Sequence, residues 1–150
     1  MEKLKLMLVD DEERFLETTK KLLTKAGYEA LTASSGEESL ELLGMHTVHV
    51  VVLDVKMPGM DGLETLKKIK TLYPLTEVIM LTGHATVEDA VDGMKSGASD
   101  YVMKPCDIND LLGRVEEAFR RRMGIEERIS MAQARSYVKS PREILRQKAE

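Results

Sequence analysis

Short strand-like segments alternate with helix-like segments through most of this 150-residue chain, and the connections between them are short. Each strand-like segment is a run of mainly apolar residues, and the segment after it has apolar residues at helical spacing. The predicted strands are 4–9, 28–32, 48–53, 77–81 and 99–103, and the predicted helices are 12–26, 36–44, 63–72, 87–95 and one from 108 to at least 122. Such alternation predicts a parallel sheet, because consecutive parallel strands need a crossover that is usually a helix.

The third predicted strand indicates that helices cover both faces of this sheet. Residues 48–53 read VHVVVL, nearly all apolar and mostly β-branched. A strand with one solvated face alternates apolar and polar residues, whereas a strand covered on both faces is continuously apolar. We therefore expect an α/β fold with a doubly wound, five-stranded parallel sheet and five helices.

The composition is typical of a soluble globular protein, with 43% hydrophobic and 32% charged residues. No apolar run is long enough to cross a bilayer, and the charged N-terminus lacks the pattern of a signal peptide. The single cysteine, Cys106, excludes an internal disulfide framework and a cysteine-based zinc site. We expect a cytoplasmic protein without a membrane partner.

Charge divides the chain into two parts. Residues 120–150 carry nine Lys and Arg against four Glu, and the remainder carries 13 Lys and Arg against 22 Asp and Glu. We predict a folded domain at 1–122 and a basic, helical C-terminal extension at 123–150. An acidic body is not expected to bind nucleic acid directly, and an extension of about 28 residues is too short for a separate DNA-binding domain.

A possible heptad seam runs along the last helix and into the extension. Its members are Leu111, Val115, Ala118, Arg122, Ile125, Ile129, Ala132 and Ser136. Arg122 and Ser136 interrupt the apolar character of the seam, and Gly124 disfavours the helix. Two interpretations remain open: a solvated helix, or a helix through which the chain dimerises or transmits a signal.

Residues capable of chemistry stand where four of the predicted strands end. They are the pair Asp10 and Asp11, then Asp54, Thr82 and Lys104. The carboxyl ends of parallel strands share one edge of the sheet, and a crevice forms there where the strand order reverses. We therefore expect these residues, although distant in sequence, to line one pocket.

Three carboxylates in one pocket would repel one another, by roughly 4 kcal/mol for a pair about 4 Å apart at an effective dielectric constant near 20. A hard divalent cation removes this cost, and an all-oxygen site with room for water suits Mg2+. Asp10 and Asp11 could instead cap the following helix, whose N-terminus favours acids. The presence of Asp54 at the end of a neighbouring strand favours the metal site.

Residues 54–62 read DVKMPGMDG, which resembles the phosphoacceptor loop of response-regulator receiver domains, the family of the chemotaxis regulator CheY. Further matches are VDDE at 9–12, LTG at 81–83 and ASDYVMKP at 98–105, so the resemblance covers residues 4–122. The segments TGHA at 82–85 and ASDYVMKP at 98–105 are most similar to receivers of the NtrC type. The resemblance implies the flavodoxin-like and CheY-like strand order 2-1-3-4-5.

The resemblance also implies a phosphoryl-transfer site. Asp54 would be the nucleophile that accepts a phosphoryl group from a sensor histidine kinase or a histidine phosphotransfer protein. Magnesium or manganese (Mg2+ or Mn2+) would be held by Asp10, Asp11, Asp54 and the backbone carbonyl of Lys56. Lys104 would place a second positive charge against the phosphoryl group.

Two further residues would turn phosphorylation into a signal. The Thr82 hydroxyl would contact the phosphoryl group, as would the backbone N–H groups of Lys56 and Gly83. Tyr101 would rotate inward when Thr82 moves, and the surface formed by the fourth helix, fifth strand and fifth helix would change. A homodimer could form through that surface or through the C-terminal helix.

The sequence disfavours three other functions. A haloacid-dehalogenase-like phosphatase also uses a strand-end Asp with Mg2+, but it places a second Asp where this chain has Lys56. A flavodoxin-like cofactor binder needs a phosphate loop after the first strand, where Asp10 and Asp11 would repel phosphate. A receiver that has lost phosphorylation would lack key residues that are present here. We expect a phosphorylated switch and not a turnover enzyme, either standing alone or cut from a longer regulator.

Overall fold

The computed structural model describes residues 3–57, 59–83 and 86–137. Its strands are β1 (Leu6–Val9), β2 (Ala30–Ala33), β3 (Val50–Leu53), β4 (Glu77–Thr82) and β5 (Asp100–Met103). Its helices are α1 (Glu13–Lys25), α2 (Gly36–Met45), α3 (Gly62–Leu72), α4 (Val87–Lys95) and α5 (Ile108–Tyr137). All strand pairs are parallel, in the order β2-β1-β3-β4-β5. The predicted fold class and strand order are confirmed.

Four of the five strands begin later than predicted, whereas β4 begins at Glu77 as predicted. The first was predicted from residue 4 and the third from residue 48, but the ladder starts at Leu6 and Val50. The second was predicted at 28–32 and pairs at 30–33. Tyr28 precedes it, and its hydroxyl donates a hydrogen bond to the Glu116 carboxylate of α5. A contact between residues so far apart leaves no local signal in the sequence.

Both faces of the sheet are covered, as the apolar strands predict. Along β1, Leu6 and Leu8 face a core that α1 and α5 complete. Met7 and Val9 face a second core that α2 and α3 complete. Alternate residues of one strand therefore enter two cores, which is why the strand is continuously apolar.

Helix α5 is one continuous 30-residue element that passes through position 122 and through Gly124 without a break. Its first half packs on the sheet, with Leu111, Val115 and Ala118 buried. At the far end of the seam, Ile129 is 42% exposed. The predicted boundary at 122 and 123 thus falls inside a helix, and residues 138–150 of the extension lie outside the described residues, as does Pro58 of the DVKMPGMDG motif.

Arg122 anchors this helix to the opposite end of the sheet from the strand-end pocket. It is 9% exposed, and its Nη1 donates to the Val48 carbonyl at 2.5 Å and to the Thr76 hydroxyl at 3.4 Å. Its Nε donates to Glu126 Oε1 at 2.9 Å. The arginine that interrupts the heptad seam therefore satisfies a backbone carbonyl at the start of the sheet.

Helix α4 has fewer buried residues than α1, α2 or α3. Gly93 is its buried residue, and it packs against Tyr101 of β5. Apolar side chains of this region are exposed, with Val87 at 82% and Met103 at 57%. No helix within the described ranges is long and apolar enough to cross a membrane.

Candidate functional site

The carboxyl edge of the sheet brings the predicted residues together. Asp10 follows β1, Asp54 follows β3, Thr82 is the last residue of β4, and Lys104 follows β5. Carboxylate oxygens of Asp10, Asp11 and Asp54 all lie within 4.8 Å of one another. Strand pairing places these positions side by side, because Val9 and Leu53 are register partners at the ends of β1 and β3.

The backbone N–H and both carboxylate oxygens of Asp10 form hydrogen bonds. The residue is 2% exposed, and its backbone N–H donates to the Ala33 carbonyl at 3.1 Å. One carboxylate oxygen, Oδ1, accepts a hydrogen bond from the Glu12 backbone N–H at 2.9 Å. The other, Oδ2, accepts from Lys104 Nζ at 2.5 Å. Asp10 therefore satisfies an N–H at the start of α1 and also belongs to the acidic cluster, so the two interpretations of this residue are compatible.

The Asp54 carboxylate is held between opposing influences. Burial raises its pKa most, and the neighbouring negative charge of Asp10 raises it further. The positive charge of Lys104, a hydrogen bond from the Thr82 hydroxyl and one from the Lys56 backbone N–H lower the pKa, but the net direction is upward. The folded protein thus disfavours the ionised form of Asp54 unless more positive charge is supplied.

Lys104 extends from the end of β5 to the acidic cluster. The peptide bond between Lys104 and Pro105 is cis. Its ammonium forms a salt bridge to Asp10 and lies 3.9 Å from Glu12 Oε2. In this structure its closest carboxylate partner is therefore Asp10, while its charge still acts on Asp54.

A polar cavity of about 740 Å³ opens above these groups. Its lining consists of Asp11, Glu12, Asp54, Lys56, Gly83 and Lys104. In this lining Asp11 is exposed and Asp54 is buried, whereas Asp10 is buried next to them and does not line the cavity. A side-chain Cβ placed at Gly83 would meet the Lys104 Cβ at 3.9 Å, an ordinary contact. The cavity has room for a small anion together with hydrated metal.

The acidic cluster fits a hard divalent cation. Three carboxylates are close enough for each to offer one oxygen to the same ion, and hard cations such as Mg2+ prefer oxygen ligands and retain water. Asp11 is exposed and lines the open cavity, so water has space beside an ion bound there. The oxygen-only donor set disfavours zinc, which prefers nitrogen and sulfur.

Thr82 and Tyr101 occupy different environments. Thr82 is fully buried and its hydroxyl donates to Asp54. Tyr101 packs against the core that α2 and α3 complete, with its ring against Gly93 of α4. Its hydroxyl is buried and has no hydrogen-bond partner among the residues that the structure describes. An unpaired buried hydroxyl is costly, so this packing of the Tyr101 hydroxyl is energetically disfavoured.

Two residues that support the loop after Asp54 were missed by sequence reasoning. Gly62 begins α3 so close to this loop that a Cβ there would lie 2.1 Å from the Asp54 carbonyl oxygen. Glu37 of α2 accepts a hydrogen bond from the Met60 backbone N–H at 3.1 Å, and backbone hydrogen bonds lower the pKa of its carboxyl. The Asp-Gly pair at 61–62 signals a turn, but nothing local in the sequence shows this close approach.

Known protein families match the part of the chain that contains this site. A model of the response regulator receiver domain matches residues 6–116. The chain is 40% identical over 111 residues to the DNA-binding transcriptional regulator NtrC of Klebsiella pneumoniae, covering 74% of this chain and 24% of that protein. It is 36% identical over 121 residues to the transcriptional regulatory protein ZraR of Escherichia coli K12, covering 81% of this chain and 27% of that protein. The chain thus spans about a quarter of the length of these relatives.

Solved structures show the same likeness over almost their whole length. A CheY-like response regulator receiver domain protein from Methanospirillum hungatei superposes with a TM-score of 0.78 at 32% identity, covering 82% of this chain and 98% of that one. The receiver domain of NtrX from Brucella abortus superposes with a TM-score of 0.72 at 31% identity, covering 77% of this chain and 98% of that one.

Proposed function

The chain belongs to the response regulator receiver domain family, related to NtrC-type regulators, and from this membership we propose that it is a phosphorylated switch of a two-component system. Asp54 is the phosphoacceptor, and a histidine kinase or a histidine phosphotransfer protein is the donor. One observation carries the proposal. Asp54 lies beside the carboxylates of Asp10 and Asp11, and it lines an open cavity together with Lys104.

In the proposed reaction an Asp54 carboxylate oxygen attacks the phosphorus of a phosphohistidine. The P–O bond to Asp54 forms as the P–N bond breaks, and the imidazole leaves with the electron pair. Charge builds on the phosphoryl oxygens in a loose transition state, so positioned cations and hydrogen-bond donors do most of the catalysis. Lys104 supplies a cation at the cavity wall, and the Thr82 hydroxyl and the backbone N–H groups of Lys56 and Gly83 supply donors.

The residues proposed to hold Mg2+ or Mn2+ are Asp10, Asp11, Asp54 and the backbone carbonyl of Lys56. When bound, the ion neutralises the carboxylates and the charge on phosphoryl oxygens. The raised pKa of Asp54 supports this assignment, because burial and the charge of Asp10 destabilise the ionised carboxylate relative to water and a cation would offset both. Water then hydrolyses the aspartyl phosphate and resets the switch. In this proposal the domain modifies only its own Asp54 and is a phosphoacceptor, not a turnover enzyme.

Thr82 and Tyr101 are proposed to couple phosphorylation to output. The Thr82 hydroxyl, now bound to Asp54, would transfer its hydrogen bond to a phosphoryl oxygen and move. Tyr101, whose hydroxyl has no partner among the described residues, would repack with α4. The surface made by α4, β5 and α5 would then differ between the two states.

The coupling can be tested by comparing amide spectra before and after beryllofluoride, an aspartyl-phosphate mimic, is added with Mg2+. Thr82→Ala and Tyr101→Ala are expected still to bind beryllofluoride and to be phosphorylated on Asp54 to a similar final extent, Thr82→Ala more slowly because it lacks one hydrogen-bond donor. Both variants should lose most of the shifts on α4 and β5. Shifts as large in either variant as in the wild type would refute the coupling.

Dimerisation is proposed through the α4-β5-α5 surface or the C-terminal helix. Exposed apolar side chains on both regions support it: Val87, Val91, Met94 and Met103 on the first, and Ile129 and Met131 on the second. Truncation after the proposed boundary at 122 tests which of the two surfaces forms the dimer. It also tests whether residues 1–122 fold by themselves. A dimer lost on truncation assigns the interface to the helix; one retained, and strengthened by beryllofluoride, assigns it to the α4-β5-α5 surface.

The phosphorylation itself is tested by incubating the protein with Mg2+ and acetyl phosphate and measuring its intact mass. One phosphoryl group is expected on the wild type, and none on Asp54→Ala or in the presence of excess chelator. A matched control is Asp92→Ala, an exposed aspartate on α4, which should be phosphorylated like the wild type. A wild type without an adduct, or an adduct that survives in Asp54→Ala, would overturn the proposal. A cytoplasmic location and the absence of direct nucleic-acid binding complete the proposed role.

A further inference from the structure

The ammonium of Lys104 lies over an aromatic ring that none of the sequence motifs includes. Its Nζ is 4.0 Å from the centroid of the Phe15 ring. Phe15 stands in the first turn of α1. The face of an aromatic ring is negative, so a cation at this distance is attracted to it.

Three groups therefore surround the Lys104 ammonium: the carboxylates of Asp10 and Glu12 and the ring of Phe15. The side chain is 18% exposed, so little water competes for it. Two of the three contacts are charged, and the carboxylate of Asp10 also belongs to the cluster that would hold a cation. A cation bound by Asp10 would weaken the attraction between Asp10 and Lys104. The ring of Phe15 is uncharged, so its attraction for the ammonium remains whether or not the pocket holds a cation.

A lysine needs such a support more than an arginine would. Its ammonium is a point charge on a flexible four-carbon stem, and holding it in one place costs side-chain entropy. From these contacts we propose that Phe15 is a positioning residue: its ring holds the Lys104 ammonium at the cavity wall, ready to meet the phosphoryl group. The inference rests on the proposed function of Asp54 and adds a residue to its machinery.

The competing explanation is that Phe15 only fills space. It is partly buried and packs against the core that α1 and α5 complete. It also lines an apolar cavity of about 550 Å³, together with Leu22, Pro105 and Ile108. A leucine would fill the same space without offering a negative ring face, and the test must separate these two roles.

Fluorination of the ring separates them, because each fluorine weakens the negative face while changing the size little. Phe15 would be replaced by phenylalanines with one, two and three ring fluorines, and the rate of phosphorylation by acetyl phosphate with Mg2+ measured by intact mass. The rate should fall stepwise, and Phe15→Leu should lose about threefold to tenfold. Phe15→Tyr, which keeps an aromatic face, should stay within about twofold of the wild type.

The chain contains two phenylalanines, so the second provides a matched control. Phe119 packs edge-on against His49, with ring centroids 5.0 Å apart. His49 directly precedes β3 and Lys104 directly follows β5, so the two lie at opposite ends of the parallel sheet. Fluorination of Phe119 should leave the phosphorylation rate unchanged. In a Lys104→Ala background, the difference between Phe15 and Leu should vanish. A rate independent of fluorination, or an equal loss on fluorinating Phe119, would overturn the positioning role.

A second measurement does not depend on phosphorylation. The side-chain proton signals of Lys104 should be shifted by the ring current in the wild type, and this shift should disappear in Phe15→Leu. Absence of the shift in the wild type overturns the inference whatever the phosphorylation result. A wild type that shows the shift but takes up no phosphoryl group would instead refute the proposed function, and with it the role of Phe15 in it.

Discussion

Replacement of Asp54 by asparagine is expected to make the metal-free protein more stable. The carboxylate of Asp54 lies within 4.8 Å of those of Asp10 and Asp11. At an effective dielectric constant near 20, two unit charges at that separation repel by about 3 kcal/mol. Asparagine keeps the shape of the side chain and removes the charge.

The repulsion is offset in part, so the net gain is smaller. Asp54 also receives a hydrogen bond from Thr82 and one from the Lys56 backbone, and it feels the positive charge of Lys104. Its pKa is nevertheless raised, which means that folding disfavours the charged form. We expect Asp54→Asn to stabilise the protein in chelator by about 1–2 kcal/mol, or an increase in Tm of roughly 3–6 °C for a chain of this size.

Mg2+ should reverse the order. The wild type gains about 2.7 kcal/mol when the ion is present at a hundredfold excess over its Kd, whereas the variant has lost one ligand and gains less. The assay is thermal unfolding of both proteins in chelator and in a Mg2+ series at fixed ionic strength. Glu127→Gln, which neutralises an exposed carboxylate on α5, controls for the change in net charge. A variant less stable than the wild type in chelator, or an equal response of both to Mg2+, would refute the electrostatic reasoning.

Three further substitutions test the framework around the pocket. Gly62→Ala places a methyl group 2.1 Å from the Asp54 carbonyl oxygen and should cost about 1–3 kcal/mol in urea unfolding; an unchanged midpoint would show that the loop yields freely. Arg122→Met removes one of two donors to the Val48 carbonyl, which keeps its hydrogen bond from the Thr76 hydroxyl, and should cost about 0.5–1.5 kcal/mol for the one lost bond; an unchanged free energy of unfolding would contradict this. Tyr101→Phe removes a hydroxyl without a partner among the described residues, so its free energy of unfolding should be unchanged or higher; a clear loss would reveal a hidden partner.

The sheet and the pocket were predictable because both depend on local patterns. A continuously apolar run such as Val50–Leu53 indicates a strand covered on both faces wherever it occurs. Once the strands were located, parallel pairing predicted that their carboxyl ends share one edge of the sheet. The adjacency of Asp10 and Asp54 followed from the strand order 2-1-3-4-5, which the family resemblance of the DVKMPGMDG motif implied.

What escaped prediction depends on contacts between residues distant in sequence. Arg122 interrupts the heptad seam in the sequence because its partner, the Val48 carbonyl, is 74 residues away along the chain. Tyr28 was predicted to begin β2, but it precedes that strand and its hydroxyl donates to Glu116. Phe15 looked like an ordinary apolar position on α1, and only the folded chain shows the Lys104 ammonium above its ring. No local pattern encodes such pairs.

The most direct measurement of the central claim is the identity of the phosphorylated residue. The protein would be treated with Mg2+ and acetyl phosphate, reduced with borohydride, which converts an aspartyl phosphate to homoserine, and digested for peptide mass mapping. The account predicts homoserine at position 54. Homoserine at Asp10 or Asp11, or no homoserine in a protein that is folded and saturated with Mg2+, would contradict it.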